Sequence, residues 1–261
     1  MWKFIDRSVC LTVENSDRID DFIKDSKRVG LDVEIIYNSR VLRSKVCPPI
    51  QMIKISPSCC GDTCQSLTKN HLNVIRESYE SGKKRVLIFE DDARWSKSLN
   101  MDKLRRVLDW VKENNPDIFF FGYLCYPNFF GTSINKDILR LNNPLLAHAY
   151  ILNRNAMSSI LEDYDKIINE RISIDSYYAH FTPNLNKYGS FPILSYQSTE
   201  PYHYKETKQN IRLNFVPFNT LMDVSNRFTY YSESISPALF AAVILAFLIS
   251  LMIKSSCLFV L

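Results

Sequence analysis

Apolar residues along the first 200 positions fall into short blocks separated by polar, helix-periodic stretches. RSVCLTV (Arg7–Val13) and LDVEIIY (Leu31–Tyr37) are rich in β-branched residues and read as strands. Between them, Asp17–Val29 is a polar amphipathic helix that stops at Gly30. Gln65–Ser81 is a second helix with Gly82 as its stop. RVLIFE (Arg85–Glu90) is a near-continuous apolar run, the pattern of a strand buried on both faces. Met101–Asn114 places Leu104, Val107, Leu108 and Val111 at helical spacing. DIFFFGY (Asp117–Tyr123) and AHAYIL (Ala147–Leu152) are further buried strands, and a helix over Arg154–Tyr164 follows the latter. Strands alternating with helices predict one α/β domain over residues 1–230, with a mostly parallel sheet flanked by helices on both faces.

The pattern changes near the C-terminus. Ile235–Ile253 is a run of 19 residues without a charge. At ~1.5 Å rise per residue such a helix matches the ~30 Å apolar thickness of a bilayer. No polar stripe marks it as a core helix, and Pro237 suits its first turn. The expectation is a single C-terminal transmembrane helix over residues 235–253, reaching Leu261 if tilted. The N-terminal run Val9–Val13 is too short for a signal peptide. Together these predict a tail-anchored membrane protein with a cytosolic catalytic domain.

Composition narrows the chemistry. The 261 residues carry 32 Lys and Arg against 28 Asp and Glu, a net charge of +4, with both signs interspersed. No segment concentrates the basic residues that nucleic-acid binding needs. The seven cysteines are odd in number, and CCGDTC (Cys59–Cys64) has no second pair at zinc-finger distance. Reduced thiols are expected, in keeping with a cytosolic face. A phosphate-cradling Gly-rich loop is lacking, which argues against a kinase or P-loop protein.

The strongest chemical signal is VLIFEDDA (Val86–Ala93), a buried strand running into three carboxylates. Open α/β sheets bind ligands beyond the carboxyl ends of their strands. Adjacent carboxylates repel one another unless a cation sits among them. Extended geometry would put Glu90 and Asp92 on one side and Asp91 on the other. Such a pair suits a hard divalent ion, Mn²⁺ or Mg²⁺, of the kind that bridges nucleotide phosphates. A solvated acidic turn is the competing reading.

Other blocks, in order, extend this signal. CLTVENSDRIDDF opens the chain, with Asn15, Asp17 and Arg18 after the first strand. Asn70-His71 begins the approach to Phe89-Glu90-Asp91-Asp92. Asp117 to Gly122, His148-Ala149-Tyr150, Ile174-Asp175 and PILSYQS (Pro192–Ser198) follow. This ordered set, spanning residues 8–200, resembles glycosyltransferase family 25, which includes lipooligosaccharide and procollagen galactosyltransferases. The chain departs from that pattern where the family's Gly-Cys reads Ser66-Leu67 and its Ser-His reads Asn70-His71.

The resemblance implies a GT-A fold and an inverting transfer of a hexose, often galactose, from a UDP-sugar to a glycan, glycoprotein or glycolipid acceptor. It implies that Glu90 and Asp92 hold Mn²⁺ against the diphosphate; GT-A enzymes often take a third ligand from a late histidine, for which His203 in PYHYKE is the candidate, although PYHYKE carries no motif of the family. Asp175 is the candidate base for the acceptor hydroxyl, and a helix N-cap is its competing role. Asn15, Arg18, His71, Asp91 and His148 are the candidate donor-side residues. For Arg18 the alternative is a solvated charge at a helix start. For His71 the alternatives are a hold on the acidic loop or a helix-surface position, and for His148 a satisfied core histidine. His180 reads as surface. Two other functions compete: a catalytically inactive, membrane-tethered scaffold, and a different metal enzyme on an α/β sheet. The latter suits poorly a chain with only four histidines.

Overall fold

The computed structural model describes residues 1–38, 62–97, 99–125 and 132–198, and of Leu124 and Cys125 only the backbone. The expected transmembrane stretch 235–253 and His203 lie outside the described residues. Among the described residues no helix is long and apolar enough to cross a membrane.

The chain folds as β1 (Arg7–Val13), α1 (Ile19–Arg28), β2 (Glu34–Asn38), α2 (Asp62–Glu80), β3 (Arg85–Glu90), β4 (Ala93–Trp95), α3 (Met101–Asn114), β5 (Ile118–Phe120) and β6 (Leu124–Cys125). It continues through β7 (Thr132–Asn135), β8 (Ile138–Leu141), β9 (Pro144–Leu145), β10 (Ala149–Asn153), α4 (Arg154–Glu162), α5 (Tyr164–Asn169), α6 (Ile174–His180), β11 (Lys187–Ser190) and β12 (Ser195–Gln197). An eight-stranded sheet has the order β2-β1-β3-β10-β5-β11-β8-β7. The β1–β2, β1–β3 and β5–β11 pairs are parallel. The pairs made by β10, and those made by β8, are antiparallel. Thus β10 and β8 run against the other six strands. The sheet is mixed, mostly in one direction. The departure from the expected alternation falls at two strands: β10 inserts between β3 and β5, and β8 between β11 and β7, each in the reverse sense.

Period-2 alternation along β3 builds the two helical layers. Val86 and Ile88 pack with Leu72 and Ile75 of α2 and with Ala156 and Ile160 of α4. Leu87 and Phe89 pack on the opposite face with Phe22 of α1 and Leu104 and Leu108 of α3. All four strand side chains are buried, each contributing roughly 1.5–3 kcal/mol. Helix ends follow the local chemistry. The Asn100 side chain caps α3 by accepting from the backbone N–H groups of Asp102 and Lys103. Asn153 caps α4 and Ser173 caps α6 in the same manner.

The chain returns to the centre after β11. The carbonyl of Phe121 accepts from the N–H groups of both Leu194 and Ser195. Gly122 lies against this return. A Cβ there would overlap the Ser195 carbonyl and the His148 ring. The β12 strand then pairs with β4 in a small antiparallel ribbon. Cys64, expected as a reduced thiol, is disulfide-bonded at the start of α2. Of the described cysteines, Cys10 is free and buried.

The Gly122 contact makes a first prediction. Gly122→Ala should destabilise the fold by about 3 kcal/mol, the upper range for overpacking a site that cannot yield. Urea denaturation of the purified variant measures this. A cost below about 1 kcal/mol would show that the β12 return is free to shift.

Candidate active site at the end of the central strand

The acidic turn is held by backbone hydrogen bonds from three other segments. Glu90 N–H donates to the carbonyl of His148, just before β10, at 2.9 Å. Asp91 N–H donates to the carbonyl of Leu11 in β1 at 3.2 Å, and Ser198 N–H donates to the carbonyl of Asp92 at 2.7 Å. The turn at Asp91-Asp92 ends the strand, so extended alternation stops at Glu90. As a result Asp91 and Asp92 are not on opposite sides: Arg18 Nη1 lies 3.8 Å from Asp91 Oδ1 and 3.5 Å from Asp92 Oδ2. Glu90, on the α2 face with Val86 and Ile88, has Oε1 3.3 Å from His71 Nε2.

Each expected donor-side residue has a definite place. Asp91 Oδ2 accepts from the hydroxyls of Thr12 and Ser16, both at 2.6 Å. It is therefore tied to the turn after β1. Asn15, at φ 59°, forms that turn and is exposed. Arg94 supports the same region, donating to the carbonyls of Asp91, Ala93 and Arg18. His71 is fully buried on α2 rather than on its surface. Its Nδ1 is 2.7 Å from the Tyr150 hydroxyl. His148 is also fully buried. Its Nε2 lies 3.4 Å from the Ser195 carbonyl, and its Nδ1 has no partner among the described residues. The ring occupies a core position, while its carbonyl holds Glu90. Asp175 lies in the first turn of α6, behind the Ser173 cap. Its Oδ1 accepts from the Ser173 hydroxyl at 2.6 Å and the Ser176 N–H at 2.8 Å. The N-cap position itself belongs to Ser173.

Charge is unbalanced here. Burial, with the Asp175 and Asp91 charges, pushes the Glu90 carboxyl up to about 8. Burial and the Glu90 charge push Asp92 up to about 7, with Arg18 and Arg94 opposing. Burial pushes His71 down to about 3 and His148 to about 4. Both rings are therefore neutral near pH 7, so neither offsets the carboxylates. Asp92 Oδ1 is buried without a hydrogen-bond partner among the described residues. An orphaned carboxylate oxygen in an anionic cluster fits a cation. Among the described residues no three His, Cys, Asp or Glu side chains are gathered for a metal. A Mg²⁺-like ion needs only one or two carboxylates when substrate phosphates complete its shell, and the unpartnered Asp92 Oδ1 fits as one such ligand.

Two features were not read from the sequence. A groove of 980 Å³ lies between α1 and the β4–β12 ribbon. Lys24, Arg28, Arg94 and Lys97 line it, with Asp21 and Asp25 opposing. The ribbon that makes its floor comprises two strands of three residues, too short for a periodicity signal. Second, Tyr178 donates to the Tyr150 hydroxyl at 3.1 Å, extending the His71 contact into a chain. Asp117 proves to be structural. Its carboxylate accepts from the side chains of Asn153 and Asn155 and the backbone of Asn186, at the opposite end of β5 from Gly122.

No protein-family model matches the chain, and no curated protein matches its sequence. Among solved structures it is similar to A197 from STIV, at 10% identity and TM-score 0.36, over 70% of this chain and 81% of that one. It is similar to a glycosyltransferase involved in the glycosylation of the major capsid of PBCV-1, at 10% identity and TM-score 0.37, over 69% and 77%. It is also similar to UDP-glucose pyrophosphorylase complexed with UDP-glucose, at 7% identity and TM-score 0.39, over 70% and 72%. At these scores the likeness is too remote to assign a site or an activity.

The charge imbalance has a definite sign. A carboxyl whose pKa is raised on folding binds more protons in the native state than in the unfolded chain. Glu90 therefore withdraws stability as pH rises from its ordinary 4.5 to about 8. Glu90→Gln should match wild type near pH 4 and exceed it by on the order of 2 kcal/mol at pH 8 without divalent ions. Denaturant titrations at the two pH values test this, and a variant less stable than wild type at pH 8 would contradict it.

Proposed function

We propose that this chain is a divalent-metal-dependent glycosyltransferase of the family 25 type. The reading is a GT-A domain that moves a hexose from a UDP-sugar to a hydroxyl of a glycan, glycoprotein or glycolipid, with inversion. The observation that carries the proposal is the buried, charge-unbalanced Glu90-Asp91-Asp92 turn at the carboxyl end of the central strand, with Asp175 electrostatically coupled to it. The ordered sequence resemblance supports the family. Asp92, through its unpartnered Oδ1, and Glu90 would hold Mn²⁺ or Mg²⁺, and His203 remains the expected third ligand. When bound, the ion supplies Lewis-acid stabilisation of charge on the departing UDP.

The protein's own groups have distinct proposed tasks. Arg18, beside Asp91 and Asp92, offers a guanidinium to the donor's phosphates. The groove between α1 and the β4–β12 ribbon, with four cations against two carboxylates, suits an anionic donor. Asp175 has one oxygen fixed by Ser173 and Ser176. The other has no partner among the described residues and is proposed to take the acceptor hydroxyl's proton. The membrane anchor remains part of the proposal through residues 235–253. The Cys64 disulfide favours an oxidising compartment over the expected cytosolic face.

Full-length protein should release UDP from a UDP-sugar only with Mn²⁺ or Mg²⁺. Glu90→Gln/Asp92→Asn should lower that rate at least a hundredfold with the fold intact. Asp175→Asn should reduce acceptor-dependent turnover by about 10²–10⁴-fold while leaving donor binding within about twofold. A folded chain that binds no nucleotide sugar under any metal condition would favour the scaffold reading.

A further inference from the structure

Four side chains from four elements form a continuous polar line inside the apolar layer between the sheet and α2. Tyr178 comes from α6, Tyr150 from β10, His71 from α2 and Glu90 from β3. The two tyrosines and the histidine are fully buried. Tyr178 Oη lies 3.1 Å from Tyr150 Oη, Tyr150 Oη lies 2.7 Å from His71 Nδ1, and His71 Nε2 lies 3.3 Å from Glu90 Oε1. The Nε2–Glu90 approach is an electrostatic contact, since His71 Nε2 makes no hydrogen bond among the described residues.

Proton counting selects one direction for this line. If His71 Nδ1 carried the proton, it would donate to Tyr150. Tyr150 would then donate to Tyr178, and the Tyr178 hydroxyl proton would be left without an acceptor among the described residues. In the opposite sense Tyr178 donates to Tyr150, Tyr150 donates to Nδ1, and the imidazole proton sits on Nε2 facing Glu90. Both tyrosine protons then have an acceptor, as buried polar groups require, and the Nε2 proton faces Glu90 Oε1 at 3.3 Å in an electrostatic contact. Such an outer hydrogen bond fixes a histidine's tautomer and the orientation of the group it meets.

We propose that Tyr178 and Tyr150 lock His71 in its Nε2–H tautomer, so that the ring directs its proton at Glu90 and sets the orientation of that carboxylate at the site. Tyr178, Tyr150 and His71 are then positioning residues. The inference deepens the glycosyltransferase reading, and the relay itself stands on geometry independent of it.

The test uses full-length chain labelled with ¹⁵N-histidine at pH 7. Long-range ¹H–¹⁵N correlations separate the two neutral tautomers, and His71→Gln identifies which signal belongs to His71. The expected wild-type result is the Nε2–H form. Tyr150→Phe, which keeps the ring and deletes the hydroxyl, should give a mixture of tautomers with near-UV circular dichroism unchanged. Tyr178→Phe provides a second variant that leaves Tyr150 in place and should also loosen the preference. An Nδ1–H or charged ring in wild type overturns the relay, as does an unaltered tautomer in folded Tyr150→Phe. Mn²⁺ titration followed by electron paramagnetic resonance tests the consequence at Glu90. Affinity should fall about tenfold in Tyr150→Phe, and an unchanged affinity overturns the orienting role. If wild type shows the Nε2–H form but binds no Mn²⁺, the metal reading fails and the relay stands.

Discussion

Mutual repulsion among carboxylates at the end of a buried strand is the constraint around which this site is arranged. Glu90, Asp91 and Asp92 leave β3 with little solvent to screen them, since their side chains are 18%, 11% and 18% exposed. The protein answers each charge differently. Asp91 is satisfied by the hydroxyls of Thr12 and Ser16. Asp92 receives partial compensation from Arg18. Glu90 faces a histidine that burial keeps neutral. The backbone prevents relief by movement, because the turn is tied to β1, to the residue before β10 and to the end of β12. A turn held this rigidly would meet the reorganisation cost of the proposed cation during folding rather than at binding.

The mixed direction of the sheet serves the same arrangement. Because β10 runs antiparallel between β3 and β5, the start of β10 lies beside the end of β3. The His148 carbonyl therefore meets the Glu90 N–H, and Tyr150 reaches the ring of His71. A parallel β10 would bring its far end to the acidic turn instead. The same placement brings α6 within reach, since Tyr150 contacts Tyr178, one turn along the helix from Asp175. The candidate base and the acidic turn thus share a support built from buried aromatic side chains.

Much of this frame was legible in the sequence. The β3 and α3 boundaries match the apolar run and the helical spacing that predicted them. The acidic turn at the carboxyl end of β3 was readable from the apolar run that leads into it, and the structure adds the Arg18 guanidinium beside Asp91 and Asp92. What escaped was set by tertiary register. Nothing in AHAYIL encodes strand direction, because a run buried on both faces looks alike in either sense. The side of the chain on which Asp91 falls depends on where the strand stops, and the turn at Asp91-Asp92 erased the alternation on which that expectation relied. The sequence left His71 open between a donor contact, a hold on the acidic loop and the helix surface, because its burial depends on Tyr150 and Glu90, neither of them near it in sequence. Cys64 entered a disulfide that an odd, unladdered cysteine count did not announce.

The two faces of β3 divide the work that the proposed chemistry requires. On one side lie Arg18, Arg94 and the groove beside α1, cationic overall. On the other lie His71 and the tyrosines, neutral and closed to water, with Asp175 near their edge. A cation drawn between Glu90 and Asp92 would sit where these halves meet. It would offset the burial and the repulsion that raise both carboxyl pKa values, and it would release Arg18 from compensating Asp92. The Arg18 guanidinium would then be placed to meet an anionic ligand arriving with the metal. Metal and ligand would thereby favour each other's binding through one shared residue, with no movement of the sheet.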